Sequence, residues 1–207
     1  MAHALNEAHY DINAHLTRLE LTLVICEDIK LIIEIPFKTN LIAVNAMLIT
    51  RRAGIKSRGF GIIALELRLL SGRLRELMDQ VSKVITLMIY DVVILCKTRR
   101  MMGYLQRAQA GGDQYAILDT AIMRKQAAMD RLDQGVEEDL FLLLTTLEDA
   151  YTLCKSSEAL SRNAKIEAAY GQELSGELKL VADRIETTMD EITASLQSLI
   201  HNIRVST

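Results

Sequence analysis

The sequence predicts an all-α protein: a long antiparallel four-helix coiled-coil bundle made of two helical hairpins in one chain. Three observations carry this. The 207 residues are 50% hydrophobic but only 4% aromatic, with one proline and no tryptophan. Leu, Ile, Ala, Met, Glu and Arg dominate, which suits long helices and not sheets. Helix breakers are few and grouped, and an apolar heptad runs between two of the groups.

The first segment spans roughly 4–53 and ends where Gly54 and Gly59 bracket a Lys/Ser/Arg break. It contains Pro36, which removes one backbone hydrogen bond and predicts a kink. The second segment spans roughly 59–109. Phe60, Leu67, Leu74, Val81, Met88, Leu95 and Met102 recur every seven residues. Ile63, Leu70, Leu77 and Val84 form a second series, which Asp91 and Thr98 interrupt. Two apolar positions per heptad make a coiled-coil seam. Gly111-Gly112 ends this helix, and a third segment, 114–170, follows. Gly171 and Gly176 mark the last turn. The fourth segment, 175–204, carries Leu178, Ile185, Ile192 and Leu199, with Val181 beside them. A heptad-striped rod is insoluble alone, but four close a bundle around one seam. The hairpins are expected at 1–110, turning near 54–59, and at 111–207, turning near 171–176, together forming one domain.

The first turn carries a specific pattern. Ile29, Ile32, Ile35-Pro36-Phe37, Thr39-Asn40-Leu41-Ile42-Ala43-Val44-Asn45-Ala46, Arg52-Ala53-Gly54, Arg58-Gly59-Phe60 and Glu66-Leu67-Arg68 follow one another without a gap. This stretch resembles the cytoplasmic tip of methyl-accepting chemotaxis proteins. The resemblance implies a helical hairpin that contacts a histidine kinase and a coupling adaptor and packs receptor dimers into trimers.

A fainter copy lies in the second half. Asn163-Ala164-Lys165-Ile166-Glu167-Ala168-Ala169 and Leu178-Lys179-Leu180-Val181-Ala182-Asp183 also resemble tip helices, and Asn163 follows Asn45 by 118 positions. At that offset Ile29 falls on Leu147, Ile35 on Leu153, Phe60 on Leu178, Ile63 on Val181 and Leu67 on Ile185. Receptors of this family build a four-helix tip from two chains. A tandem copy implies a single chain that mimics a receptor dimer, or a homodimer with swapped hairpins.

The departures matter too. The family places a Glu four residues after the tip Asn and an Arg three further on. Those positions hold Ile49 and Arg52 in the first copy, and Glu167 and Tyr170 in the second. Each hairpin keeps half of the pair, which suggests pairing across the bundle or with a neighbouring molecule. Lys155, Glu158 and Arg162 stand where the first copy has Phe37, Asn40 and Val44. The first hairpin is therefore the better partner-binding candidate. Phe37, Asn40, Leu41, Val44, Asn45, Arg52, Ile62 and Glu66 are its expected contact residues, an apolar patch with a polar rim. Asn163 and Glu167 form a polar second tip, while Ile63 and Leu67 belong to the seam. No paired Glu/Gln methylation segment stands out, so an adaptation substrate is not expected.

Other chemistry is not expected. His3, His9 and His15 do not share a helical face, so no metal site is read there. There is no Glu-x-x-His, Cys-x-x-Cys, phosphate-cradling glycine loop or GxSxG. The chain reads as a non-enzyme without a cofactor. Net charge is −3, and no basic stripe accompanies aromatic platforms, so nucleic acid is not an expected partner. The most apolar runs are short or cut by Glu27, Asp28, Lys30 and Asp91. A membrane span needs about 20 apolar residues, so none is expected, and neither is a secretory leader. Cys26, Cys96 and Cys154 read as reduced core residues of a cytoplasmic protein. The expected partners are a chemotaxis histidine kinase and its coupling adaptor, or the tips of chemoreceptors. The alternatives are a receptor-derived structural bundle without kinase contact, and a ligand-binding helical sensor with Asp91 and Thr98 in its seam.

Overall fold

The computed structural model describes residues 24–30, 32–110, 116–170 and 175–206. Helical turns occupy 24–30 and 32–33. Helix α1 is Ile35–Ala53, and a 3₁₀ turn, Gly54–Ser57, joins it to α2, Arg58–Ala110. Helices α3, Ala116–Ser156, α4, Glu158–Ala169, and α5, Ser175–Ser206, follow. No strand occurs among the described residues, and the protein is all-α. The expected start of the first helix, the His3/His9/His15 trio, Gly111-Gly112 and Gly171 lie outside the described residues.

Two compact units divide the described residues. One combines Glu27–Ser82 with the described part of the chain from Leu144 onward, and the other is built on Lys83–Leu143.

In the unit containing Glu27–Ser82, α5 packs on α4 and on α1, bringing the second hairpin against the first. The heptads explain why. Phe60, Leu67, Leu74 and Val81 are at most 1% exposed, and Ile63 and Leu70 are buried with them. The structure adds a third position per heptad, held by Ala64, Ser71 and Met78. A helix that meets two neighbours hides about three-sevenths of its surface, wider than the two-position seam of a simple coiled coil. Phe60, Ile63, Ala64, Leu67, Leu74, Met78 and Val81 each have a buried counterpart 118 positions later: Leu178, Val181, Ala182, Ile185, Ile192, Leu196 and Leu199. In the preceding helices Ile29, Ile32, Ile42, Ala43 and Ala46 match Leu147, Ala150, Leu160, Ser161 and Ala164, all buried. Small side chains thus line α1 and α4, while large ones line α2 and α5. Alternating size in this way fills an interior without voids.

Two interruptions break the helical ladders in this unit. Pro36 has no N–H, and the helix restarts one residue before it, at Ile35. Glu34 stays helical, with φ −77° and ψ −14°, and its carbonyl accepts from Phe37 N at 3.1 Å and Lys38 N at 3.2 Å. The expected kink is thus one missing ladder bond with helical dihedrals kept. The Ser71 hydroxyl donates to the Pro36 carbonyl at 2.7 Å, tying α2 to α1. The second interruption, at Ser157, splits the expected 114–170 helix into α3 and α4. Ser157 N donates to the Cys154 carbonyl three residues back at 3.0 Å, a 3₁₀-like tightening. Its hydroxyl donates to the same carbonyl at 2.6 Å and lies 3.2 Å from the Met189 sulfur. Local side-chain bonding of this kind competes with the ladder.

In the unit built on Lys83–Leu143, Leu95, Met102 and Met129 form a small core, with Ile122 and Leu132 packed against it. Arg99 pairs with Asp133 at 3.8 Å. Asp91 is half-buried in the seam position that the heptads assign to it. Its carboxylate lies beside Gly135, 3.7 Å from where a Cβ would stand. Burial, then the charges of Asp91 and Glu138, push the Asp139 carboxyl above its ordinary range.

One helix among the described residues, Val24–Arg52, is long and apolar enough to cross a membrane by length and composition, with a mean hydropathy of 1.4. Core helices pass the same test, and here Ile25, Ile29, Ile32, Ile42 and Ala46 are buried inside the protein.

Two outcomes follow from this packing. Leu67→Ala should lower stability by about 2–5 kcal/mol in urea unfolding, because Leu67 is fully buried. Leu69→Ala, at a position 60% exposed, should change it by no more than about 0.5 kcal/mol. Burial pushes the Cys154 thiol up to about 12 from 9.0. The thiolate is the reactive form, so Cys154 should resist alkylation at pH 8 when folded and react once denatured. Ionisation favours the unfolded chain, so this thiol's contribution to stability is intact below pH 9.0 and is lost as pH rises toward 12.

Candidate partner-binding tip

The turn of the first hairpin is built from its own sequence. Gly54 sits at φ +67°, a left-handed conformation that suits glycine, and its N–H caps the Thr50 carbonyl. The buried Ser57 hydroxyl donates to the Thr50 carbonyl at 3.1 Å and to the Gly54 carbonyl at 3.2 Å. Arg51 and Arg52 stand in the last turn of α1, where cations complement the helix dipole.

The expected contact residues divide into two groups around this turn. Phe37, Leu41 and Val44 are exposed on α1, at 65%, 53% and 37%. Leu48 and Ile33 extend them, so five apolar residues spaced by four, four, three and four make one stripe. Ile62 is exposed on α2, with Leu65 and Leu69 continuing along the same helix. The stripe lies outside the seam, because the seam uses Thr39, Ile42, Ala43 and Ala46 of the same helix. Leu48, Leu65 and Leu69 are additions that the sequence reading did not name. The spacing from Phe37 onward carries the signal for Leu48.

The second group is polar. Asn40 and Asn45 are half-buried, while Arg52 and Glu66 are exposed. Asn45, Ile49 and Arg52 of α1 face Leu180, Val181 and Arg184 of α5 across a shallow groove of about 390 Å³. Arg52 crosses this groove to Glu177 at 3.5 Å. The arginine therefore does meet a carboxylate of the other hairpin, but the carboxylate is Glu177 and not Glu167. Glu167 is half-buried and lies directly against Gly59: a Cβ there would stand 2.0 Å from Glu167 Oε2. A larger residue at 59 would push the Glu167 carboxylate out of this place. Asn163 is exposed on α4.

The second hairpin has no continuous stripe, although Ile166 is exposed where the first has Leu48. Lys155 and Arg162 replace Phe37 and Val44, and both are exposed. Ion pairs cover this surface instead. Lys155 meets Glu158 at 2.6 Å, and Lys165 meets Glu186 at 2.5 Å and Asp183 at 3.9 Å. The hydrogen bond with Glu158 raises the Lys155 ammonium and lowers the Glu158 carboxyl. Exposed pairs like these contribute little stability, so their main effect is a solvated face.

Comparison with known proteins gives the family of the domain. The family model of the methyl-accepting chemotaxis protein (MCP) signalling domain matches residues 20–140. No curated protein and no solved structure matches the chain. The matched span holds α1, the Gly54 turn, all of α2 and the first part of α3, which is more than half of the sequence. Domains of this family carry signals and do not catalyse reactions. The hairpin with its heptad seam, and the family match that spans it, lead to one conclusion: the chain belongs to the family of methyl-accepting chemotaxis protein signalling domains.

Proposed function

We propose that this chain is a chemoreceptor-like signal transduction protein whose first hairpin docks a chemotaxis-type histidine kinase, its coupling adaptor, or the tips of other receptors. The observation that carries the reading is the exposed stripe of Phe37, Leu41, Val44 and Leu48, which the second hairpin lacks. Monomeric surfaces scatter their apolar residues, and a contiguous stripe beside polar groups has the make-up of an interface. Asn40, Asn45, Arg52, Ile62 and Glu66 supply the rest of the surface. Asn163 and Glu167 act on the second tip, where they serve pairing between hairpins more than docking.

The hairpins 1–110 and 111–207 are diverged tandem copies that form one tip. The match of buried positions at an offset of 118 supports this. A single chain then supplies what two receptor chains supply elsewhere in the family. Its setting is cytoplasmic, as this domain's is in receptors. With one apolar stripe where a symmetric dimer would carry two, each molecule offers one docking face.

The purified chain, mixed with the kinase and coupling adaptor from the same source, should bind with an affinity readable by calorimetry. Phe37→Ala combined with Val44→Ala should weaken binding about tenfold or more, since truncated interface anchors cost over about 1 kcal/mol each. Helicity by circular dichroism should not change. Equal affinity in the double variant would remove this surface from consideration.

A further inference from the structure

The two hairpins meet through matched positions near the turn. Position 167 follows 49 by 118, and 177 follows 59 by the same interval. On one face Glu167 nests on Gly59. On the other, Ile49 and Glu177 line one groove, and Arg52 reaches Glu177 at 3.5 Å. Each face therefore holds one carboxylate. Opposite it stands a residue that accommodates it: glycine on one side, isoleucine with a nearby arginine on the other.

We infer that positions 49, 52, 59, 167 and 177 form a pairing code, by which the first hairpin fits the second and neither fits a copy of itself. Consider the second hairpin against its own copy. Glu167 would face Glu177 on both sides, two like charges at contact distance where the native face has a glycine. Like charges placed opposite each other destabilise a pairing, and a side chain in the glycine's place would also force the Glu167 carboxylate to move. Now consider the first hairpin against its own copy. Ile49 would face Gly59, leaving unfilled space, and Arg52 would find no carboxylate. The partner that this surface takes is a hairpin of the other kind. Specificity of this sort comes from penalties on wrong pairings as well as from contacts in the right one.

The full-length chain tests this, because each alternative face can be installed in the native frame. Ile49→Glu places a second carboxylate opposite Glu177, as in a second–second pairing, with Arg52 still beside them. Glu177→Gly creates the Ile–Gly face of a first–first pairing. Both changes together recreate the Glu–Gly face that already exists around Glu167. The melting midpoint should fall by roughly 2–4 °C in each single variant, the shift expected for about one interaction in a chain of this size. The double variant should melt above both singles, near the parent. Should Gly59→Glu alone prevent folding, its combination with Glu167→Ile should restore the folded chain, because it copies the Ile–Glu face. A single variant as stable as the parent, or losses that simply add in the double variant, would overturn the code. The code rests on the tandem-hairpin reading above, but partner docking plays no part in this readout, so its failure and a failure of docking are told apart.

Discussion

Every helix of this protein carries an apolar face too wide to leave in water, and the rest of the structure follows from hiding it. Burying one leucine stabilises a fold by roughly 1.5–3 kcal/mol. The seam from Phe60 through Val81 and its counterpart from Leu178 through Leu199 therefore dominate any surface interaction here. The requirement also sets the size pattern. Because α2 and α5 bring Phe60, Leu67, Met189 and Ile185, α1 and α4 bring Ala43, Ala46, Ala164 and Ala168. It explains the tolerance of Pro36 and Ser157 as well. One missing ladder bond costs less than a misplaced seam, and hydroxyls of Ser71 and Ser157 take up nearby polar groups.

Inside and outside the bundle, the two hairpins have been constrained differently. Many buried positions agree across the offset of 118, including the alanine pairs Ala46–Ala164 and Ala64–Ala182, while Ile35 and Leu70 are buried and their counterparts Leu153 and Thr188 only half-buried. Exposed positions agree less often: Leu48 and Ile166 are both exposed and apolar, as are Ile62 and Leu180, but Phe37 and Val44 have charged counterparts. The first hairpin turns Phe37, Leu41, Val44 and Leu48 toward solvent, while the second presents Lys155, Arg162 and Lys165. Packing tolerates few changes at a close-packed site, whereas a solvated side chain can vary at almost no cost. The first hairpin thus exposes a run of apolar residues along α1, where the second alternates charged residues with Ile166. That difference is what the proposed docking through the first hairpin rests on.

Contacts near the turn lie between these regimes. The Arg52–Glu177 pair is exposed on both sides and adds little energy. The nest of Glu167 on Gly59 is a steric fit, since a Cβ at 59 would displace the Glu167 carboxylate. Together they give the two hairpins distinct identities without altering the seam. A weak pair and a glycine gap can thus decide which hairpins associate, while the apolar core decides that they associate at all.

By itself the sequence determined the class of fold, the heptad register, the turn at Gly54 and the family. These depend on local chemistry: periodicity, breaker residues and glycine's access to positive φ. It also made Ile63 and Leu67 legible as core and Phe37, Leu41 and Val44 as candidates for the surface. Tertiary structure decided the rest. Ala64, Ser71 and Met78 are small, polar or flexible, so their burial shows only when a second neighbouring helix covers them. Leu48 continues the stripe at the rim of the groove toward α5, where it stays more than half exposed. Arg52 could have met either carboxylate of the second hairpin, and chain spacing does not say which lies across the groove. Glu167 and Gly59 are distant in sequence, and their fit is a matter of two helices approaching at one point. Periodicity fixes which face of a helix is apolar, but only the packed neighbours fix which atoms that face will touch.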